Sequence, residues 1–139
     1  MDFSNKKTGM ENEFLKGRKI LIVEDDSSSR LYLNKILEKT GVIILNAGDG
    51  QEAIDIAFEN ADIDIILMDI QLPVMDGYKS AEKIREFREN IIIIAQTAYG
   101  LMGDKEKIID SGFNDFIIKP IFAHTLIEKL VASLTRKKP

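Results

Sequence analysis

The chain has 139 residues, 45% apolar and 30% charged, with a net charge of −4 from interspersed acids and bases; this is the length and balance of one globular domain with a real core. It holds no cysteine and a single histidine, His124, which excludes disulfide frameworks, thiol nucleophiles, Cys-based zinc sites and His-cluster metal centres. No basic face recommends nucleic acid as a partner, no apolar run approaches the roughly 18 residues of a membrane span, and no signal core opens the chain, so a cytoplasmic protein is the simplest reading.

Residues 1–17 are polar and lack sustained periodicity, and read as a flexible leader outside the fold. A first strand, KILIVE (19–24), leads into a helix over 28–40, whose Leu33, Ile36 and Leu37 have helical spacing and which stops before Gly41. The second strand is VIILNA (42–47). Asp49, with Glu52 three residues on, has the form of a capping box for a helix through Phe58. IDIILM (63–68) is the third strand, and after the loop LMDIQLPVMDG (67–77) a helix runs from about Tyr78 to Arg88.

The fourth strand, IIIIAQT (91–97), is apolar on both faces, as a central parallel strand should be. Gly100 and Gly103 loosen the chain before a short helix ending near Gly112. DFIIK (115–119) is the fifth strand and runs into Pro120; the last helix places Leu126, Ile127, Leu130, Val131 and Leu134 on one face, and Arg136 to Lys138 form a solvated tail. Five β-α units with no length for a second domain predict an α/β fold: a doubly wound, five-stranded parallel sheet with helices on both faces, over residues 18–137, with no effector domain.

In such a sheet ligands sit beyond the carboxyl ends of the strands. Those ends deliver Glu24, Asp25 and Asp26 after the first strand, Asp69 after the third, Thr97 at the end of the fourth and Lys119 at the end of the fifth. If the first and third strands are neighbours, Asp25 and Asp69 come close, and their mutual repulsion calls for a cation. An all-oxygen set of carboxylates and carbonyls suits Mg²⁺. A carboxylate beside Mg²⁺, a hydroxyl and a lysine is equipped to attack phosphorus and form an acyl phosphate on Asp69.

Bland readings stand beside these. Asp26, followed by serines, reads as a helix cap, and Asp76-Gly77 as a turn and cap. Asp69 precedes no helix directly. Taken singly, Thr97 is a β-branched strand residue and Lys119 a solvated strand end; their convergence on one rim with complementary charge favours a functional cluster. His124 reads as a surface residue, and Met68, Met75 and Met102 as packing residues.

The segments KILIVEDD, LMDIQLPVMDG, IIIIAQTAYG and SGFNDFIIKPI, in this order and each at a strand end, make residues 18–136 resemble a response-regulator receiver domain. The resemblance implies the flavodoxin-like strand order 2-1-3-4-5, which a chemotaxis receiver exemplifies. It implies Asp69 as phosphoacceptor; Mg²⁺ on Asp25, Asp69 and the backbone carbonyl of Gln71, with Glu24 supporting through water; and Thr97 and Lys119 on the phosphoryl group. It also implies a cis Lys119-Pro120 bond, a switch pairing Thr97 with the aromatic Phe116, where tyrosine is frequent, a small Ala98 leaving room for phosphate, and Gln71 and Tyr99 tuning the acyl-phosphate lifetime. The function implied is a two-component phosphorelay module that receives its phosphoryl group from a histidine kinase or histidine phosphotransfer protein. It catalyses only its own phosphorylation and dephosphorylation, and presents a switched face around the fourth and fifth strands to a protein target.

Two alternatives stand beside the reading as a stand-alone protein. One is the same receiver excised from a hybrid histidine kinase. The other is an aspartyl-phosphate phosphatase acting on small molecules, which usually needs a second acid where Gln71 stands. A dinucleotide module fails for want of a glycine-rich fingerprint after the first strand.

Overall fold

The computed structural model describes residues 3–98 and 102–136. The elements run α1 (Phe3–Leu15), β1 (Lys19–Val23), α2 (Ser27–Glu38), β2 (Ile43–Ala47), α3 (Gly50–Glu59), β3 (Ile65–Asp69), α4 (Gly77–Phe87), β4 (Ile92–Thr97), α5 (Met102–Asp110), β5 (Asp115–Ile118) and α6 (Ala123–Arg136). The strands form one parallel sheet in the order β2-β1-β3-β4-β5, as the family resemblance implied.

Alternation along each strand builds two cores. Leu21, Val23, Ile66, Met68, Ile93 and Ala95 face one side, where Ala53 and Ala57 of α3 and Ala81 and Ile84 of α4 cover them. Ile20, Ile22, Ile65, Leu67 and Ile94 face the other, under Leu33 and Leu37 of α2 and Leu126, Leu130 and Leu134 of α6. Because β1, β3 and β4 are covered on both sides, their sequences are continuous apolar runs, the mark of interior parallel strands.

Three helices begin where capping chemistry put them. Asp26 accepts from Ser29 N at 2.8 Å, Asp49 from Glu52 N at 2.8 Å and Asp76 from Lys79 N at 2.9 Å. Gly103, expected to loosen the chain, lies inside α5 instead, and Gly100 falls outside the described residues.

Residues 3–15, expected as a flexible leader, form α1. Leu15 at its end is fully buried in the same core cluster as Leu37 and Leu134, and Lys7 Nζ meets Glu128 Oε1 on α6 at 3.1 Å. Burying one leucine stabilises by about 2 kcal/mol, which anchors a helix that otherwise leaves Met10 and Phe14 exposed. A single anchor at the helix end makes no periodic stripe, so the sequence carried no signal for it. Gly17, at φ +81°, then turns the chain into β1.

Candidate functional site

β3 lies between β1 and β4, so the ends of three adjacent strands, with β5 beyond, converge on one rim. Asp69 is the last residue of β3, Thr97 the last of β4, Glu24 and Asp25 follow β1, and Lys119 follows β5. Asp69 is 3% exposed and Glu24 1%, whereas Asp25 is exposed at the mouth.

The Lys119 ammonium bridges the two buried carboxylates, at 2.7 Å from Asp69 Oδ2 and 3.4 Å from Glu24 Oε1. Asp69 Oδ1 accepts from the backbone N–H of Gln71 at 2.8 Å, and Glu24 Oε2 from that of Asp26 at 3.2 Å. These bonds hold the carboxylates in place from both sides. Burial pushes the Glu24 carboxyl above its ordinary value, and the Asp69 charge adds to that, against the opposing pull of the Asp26 N–H and Lys119. For Lys119 burial acts downward, but the hydrogen bond and charge of Asp69, with Glu24 behind it, outweigh burial and hold the ammonium above its ordinary value.

One ammonium does not balance three carboxylates. Glu24, Asp25 and Asp69 each offer an oxygen, and these oxygens lie within 4.8 Å of one another. That all-oxygen, net negative arrangement fits a hard divalent cation.

The remaining expected site residues fall as follows. Thr97 is buried, and its carbonyl accepts from Lys119 N at 2.8 Å, tying the ends of β4 and β5 together. Ala98 is exposed beside it. The Lys119-Pro120 bond is cis, as the resemblance implied. Gln71 is exposed at the rim, and Tyr99 lies outside the described residues. Phe116, half-buried on β5, has the ammonium of Lys129 at 5.4 Å and that of Lys105 at 5.9 Å from its ring centroid. Without a phenolic hydroxyl, the ring is held by apolar packing and by these cations. His124 is exposed and stacks on Phe122, and Met68 is fully buried in the core, both as expected.

Two features escaped the sequence reading. Gly77, read only as a turn residue, lies so close beneath β3 that a Cβ there would stand 2.4 Å from the Asp69 carbonyl oxygen; its lack of a side chain lets α4 start directly under Asp69. Gln96 sits opposite Asp69 in the β3–β4 register and is fully buried. Nothing in the local sequence gave its surroundings.

The family model of the response regulator receiver domain matches residues 20–131. The chain belongs to the response-regulator receiver family. This receiver is 39% identical over 119 residues to hybrid signal transduction histidine kinase I of Dictyostelium discoideum, covering 80% of the chain and 7% of that protein; the chain thus spans a small part of such relatives. It superposes, with a TM-score of 0.77 and 34% identity over 83% of its length and 87% of the other chain, on a chain from the co-crystal structure of the Saccharomyces cerevisiae phosphotransfer protein Ypd1 and the receiver domain of its downstream response regulator Ssk1. It also matches, with a TM-score of 0.75 and 35% identity over 84% of this chain and 96% of the other, the receiver domain of the Pseudomonas aeruginosa sensor histidine kinase PA1611, solved with magnesium coordinated in its active site cleft. Among the described residues of this receiver, no helix is long and apolar enough to cross a membrane.

Proposed function

We propose that this receiver accepts a phosphoryl group on Asp69 from a phosphohistidine of a histidine kinase or phosphotransfer protein. The observation that carries the reading is the buried Asp69 carboxylate, 2.7 Å from Lys119 and grouped with Glu24 and Asp25. Asp69 forms the new P–O bond as the P–N bond breaks and the imidazole leaves with the electron pair. The Gln71 N–H bond at 2.8 Å orients the carboxylate for in-line approach. Lys119, already within reach of Asp69, and Thr97 at the end of β4 contact the transferred oxygens.

Asp25, Asp69 and the backbone carbonyl of Gln71 would hold Mg²⁺, with Glu24 supporting through water; bound there, the cation neutralises charge on the transferring group. The donor set supports this, as does the magnesium in the PA1611 receiver. Ala98 leaves room for the phosphoryl group, while Gln71 and Tyr99 govern the approach of hydrolytic water. Thr97 moving toward the phosphoryl group and Phe116 turning inward alter the face around β4 and β5, which meets a protein target. The chemistry stays on the domain's own side chain and takes place in the cytoplasm. The hybrid kinase and the Ypd1 complex among its relatives support phosphorelay partners of this kind.

Incubation with acetyl phosphate and Mg²⁺, read by intact mass, tests the reading. The wild type gains one phosphoryl group, Asp69→Ala gains none, and Asp25→Ala weakens Mg²⁺ binding. An unlabelled wild type under conditions where Mg²⁺ demonstrably binds refutes the proposal, and labelling of Asp69→Ala at wild-type level reassigns the acceptor.

A further inference from the structure

Arg30 stands on α2 beside the acid cluster, and neither the phosphoryl transfer nor the cation binding described above uses it. Its Nη1 donates to the carbonyl of Glu24 at 3.1 Å. The guanidinium passes the turn after β2, where a Cβ on Gly48 would stand 3.7 Å from Nη1, so this half-buried residue spans the ends of β1 and β2.

The Glu24 carbonyl belongs to the peptide unit that delivers Asp25. Asp25 is exposed, and among the described residues no hydrogen bond or ion pair reaches its carboxylate, so its place beside Glu24 and Asp69 is set by the backbone that carries it. Around that peptide, Glu24 N donates to the Ala47 carbonyl at 3.0 Å and Asp26 N to Glu24 Oε2 at 3.2 Å. Arg30 adds a third bond, to the carbonyl that links Glu24 to Asp25. Its own helix is held in turn: Asn34 Nδ2 donates to the Arg30 carbonyl at 2.7 Å, and Asn34 and Asn46 exchange amide hydrogen bonds at 2.9 and 3.1 Å, fastening α2 to β2.

We infer that Arg30 is a positioning residue for the divalent cation: it fixes the Glu24–Asp25 peptide so that the Asp25 carboxylate reaches the same ion as Asp69. The inference rests on the cation-binding part of the function proposed above and adds a residue to it. Charge and geometry act in opposite directions here. A guanidinium beside a cation site repels the cation, so by charge alone its removal tightens binding. By position, its removal frees the peptide and Asp25 with it, and binding weakens, because a partner that orients a metal ligand is worth about 10–100-fold in affinity.

The test is titration of the whole chain with Mg²⁺ alone, followed by backbone amide NMR shifts, for wild type, Arg30→Met and Arg30→Lys. Met keeps the apolar stem and loses the donor and the charge, whereas Lys keeps a donor and the charge. Arg30→Met is expected to bind Mg²⁺ roughly tenfold more weakly, and Arg30→Lys to lie closer to wild type than to Arg30→Met. Urea midpoints of the metal-free proteins check that both variants are folded. Mg²⁺ binding by Arg30→Met as tight as wild type or tighter overturns the inference and leaves the cation reading standing, as does an Arg30→Lys no better than Arg30→Met. A wild type that binds no Mg²⁺ overturns both. No phosphoryl donor is present, so the outcome is independent of whether Asp69 is labelled.

Discussion

The two rims of this sheet use charged residues in opposite ways. At the amino ends of the strands the guanidiniums are consumed by backbone carbonyls. Arg85 donates to the carbonyls of Ile91, Glu89 and Gly112 and to Asn114 Oδ1, and Arg88 to those of Asn60 and Ile63. Asn114 Oδ1 in turn accepts from Ile93 N at 2.7 Å, so one network laces α4, β4 and the turn before β5. At the carboxyl ends, Glu24 and Asp69 share one lysine with Asp25 grouped beside them, and burial pushes Glu24 away from its charged form. A satisfied network rigidifies, whereas a cluster left with excess charge has free energy to gain from a ligand.

This contrast is sharpest in stability. Arg85→Ala strips carbonyls at the amino rim of their donors and is expected to cost about 2–3 kcal/mol, read as a lower midpoint in urea, while acetyl-phosphate labelling of the folded protein persists. A variant that keeps its midpoint would break the distinction between the rims.

Asp69→Asn acts in the opposite sense. It removes one of the crowded negative charges while keeping an acceptor for the Gln71 N–H, so in metal-free buffer the variant is expected to gain up to about 1 kcal/mol. Added Mg²⁺ narrows or reverses the order, because the wild type then gains more from ligand binding. Thermal unfolding with and without Mg²⁺ checks both signs.

The smallest effect belongs to Asp26, which lies beside the acid cluster but serves the helix. The backbone N–H of Ser29, then its hydroxyl, hold the Asp26 carboxyl below the usual 3.8. A depressed carboxylate contributes stability that is present above its unfolded pKa and disappears as pH falls through the folded one. Asp26→Ala is therefore slightly less stable than wild type near neutrality, and the gap closes as pH falls below 3.8. A gap that widens in acid would place Asp26 with the cluster rather than with the cap.

Much of this was legible in the residues themselves. The strand runs, the capping aspartates and the charged strand ends are local patterns, and the separation of Asp69 from Asp76 followed from one ending a strand while the other precedes a helix. Helix α1 was not legible, because Leu15 is a lone anchor whose burial depends on partners far along the chain. Neither were the two lysines over Phe116, which come from α5 and α6.

By itself the sequence determined the alternation of strands and helices, the capped helix starts and the identity of the groups delivered to the carboxyl rim, because periodicity, turn chemistry and strand ends act over a few residues. Only the tertiary structure decided how those groups meet. Lys119 pairs with Asp69 and Glu24 across 50 and 95 residues of chain, Gln96 is sealed beneath them, and Gly77 lies against the Asp69 carbonyl. Such distances and desolvation are properties of packed elements, and no stretch of the chain holds them before the sheet closes.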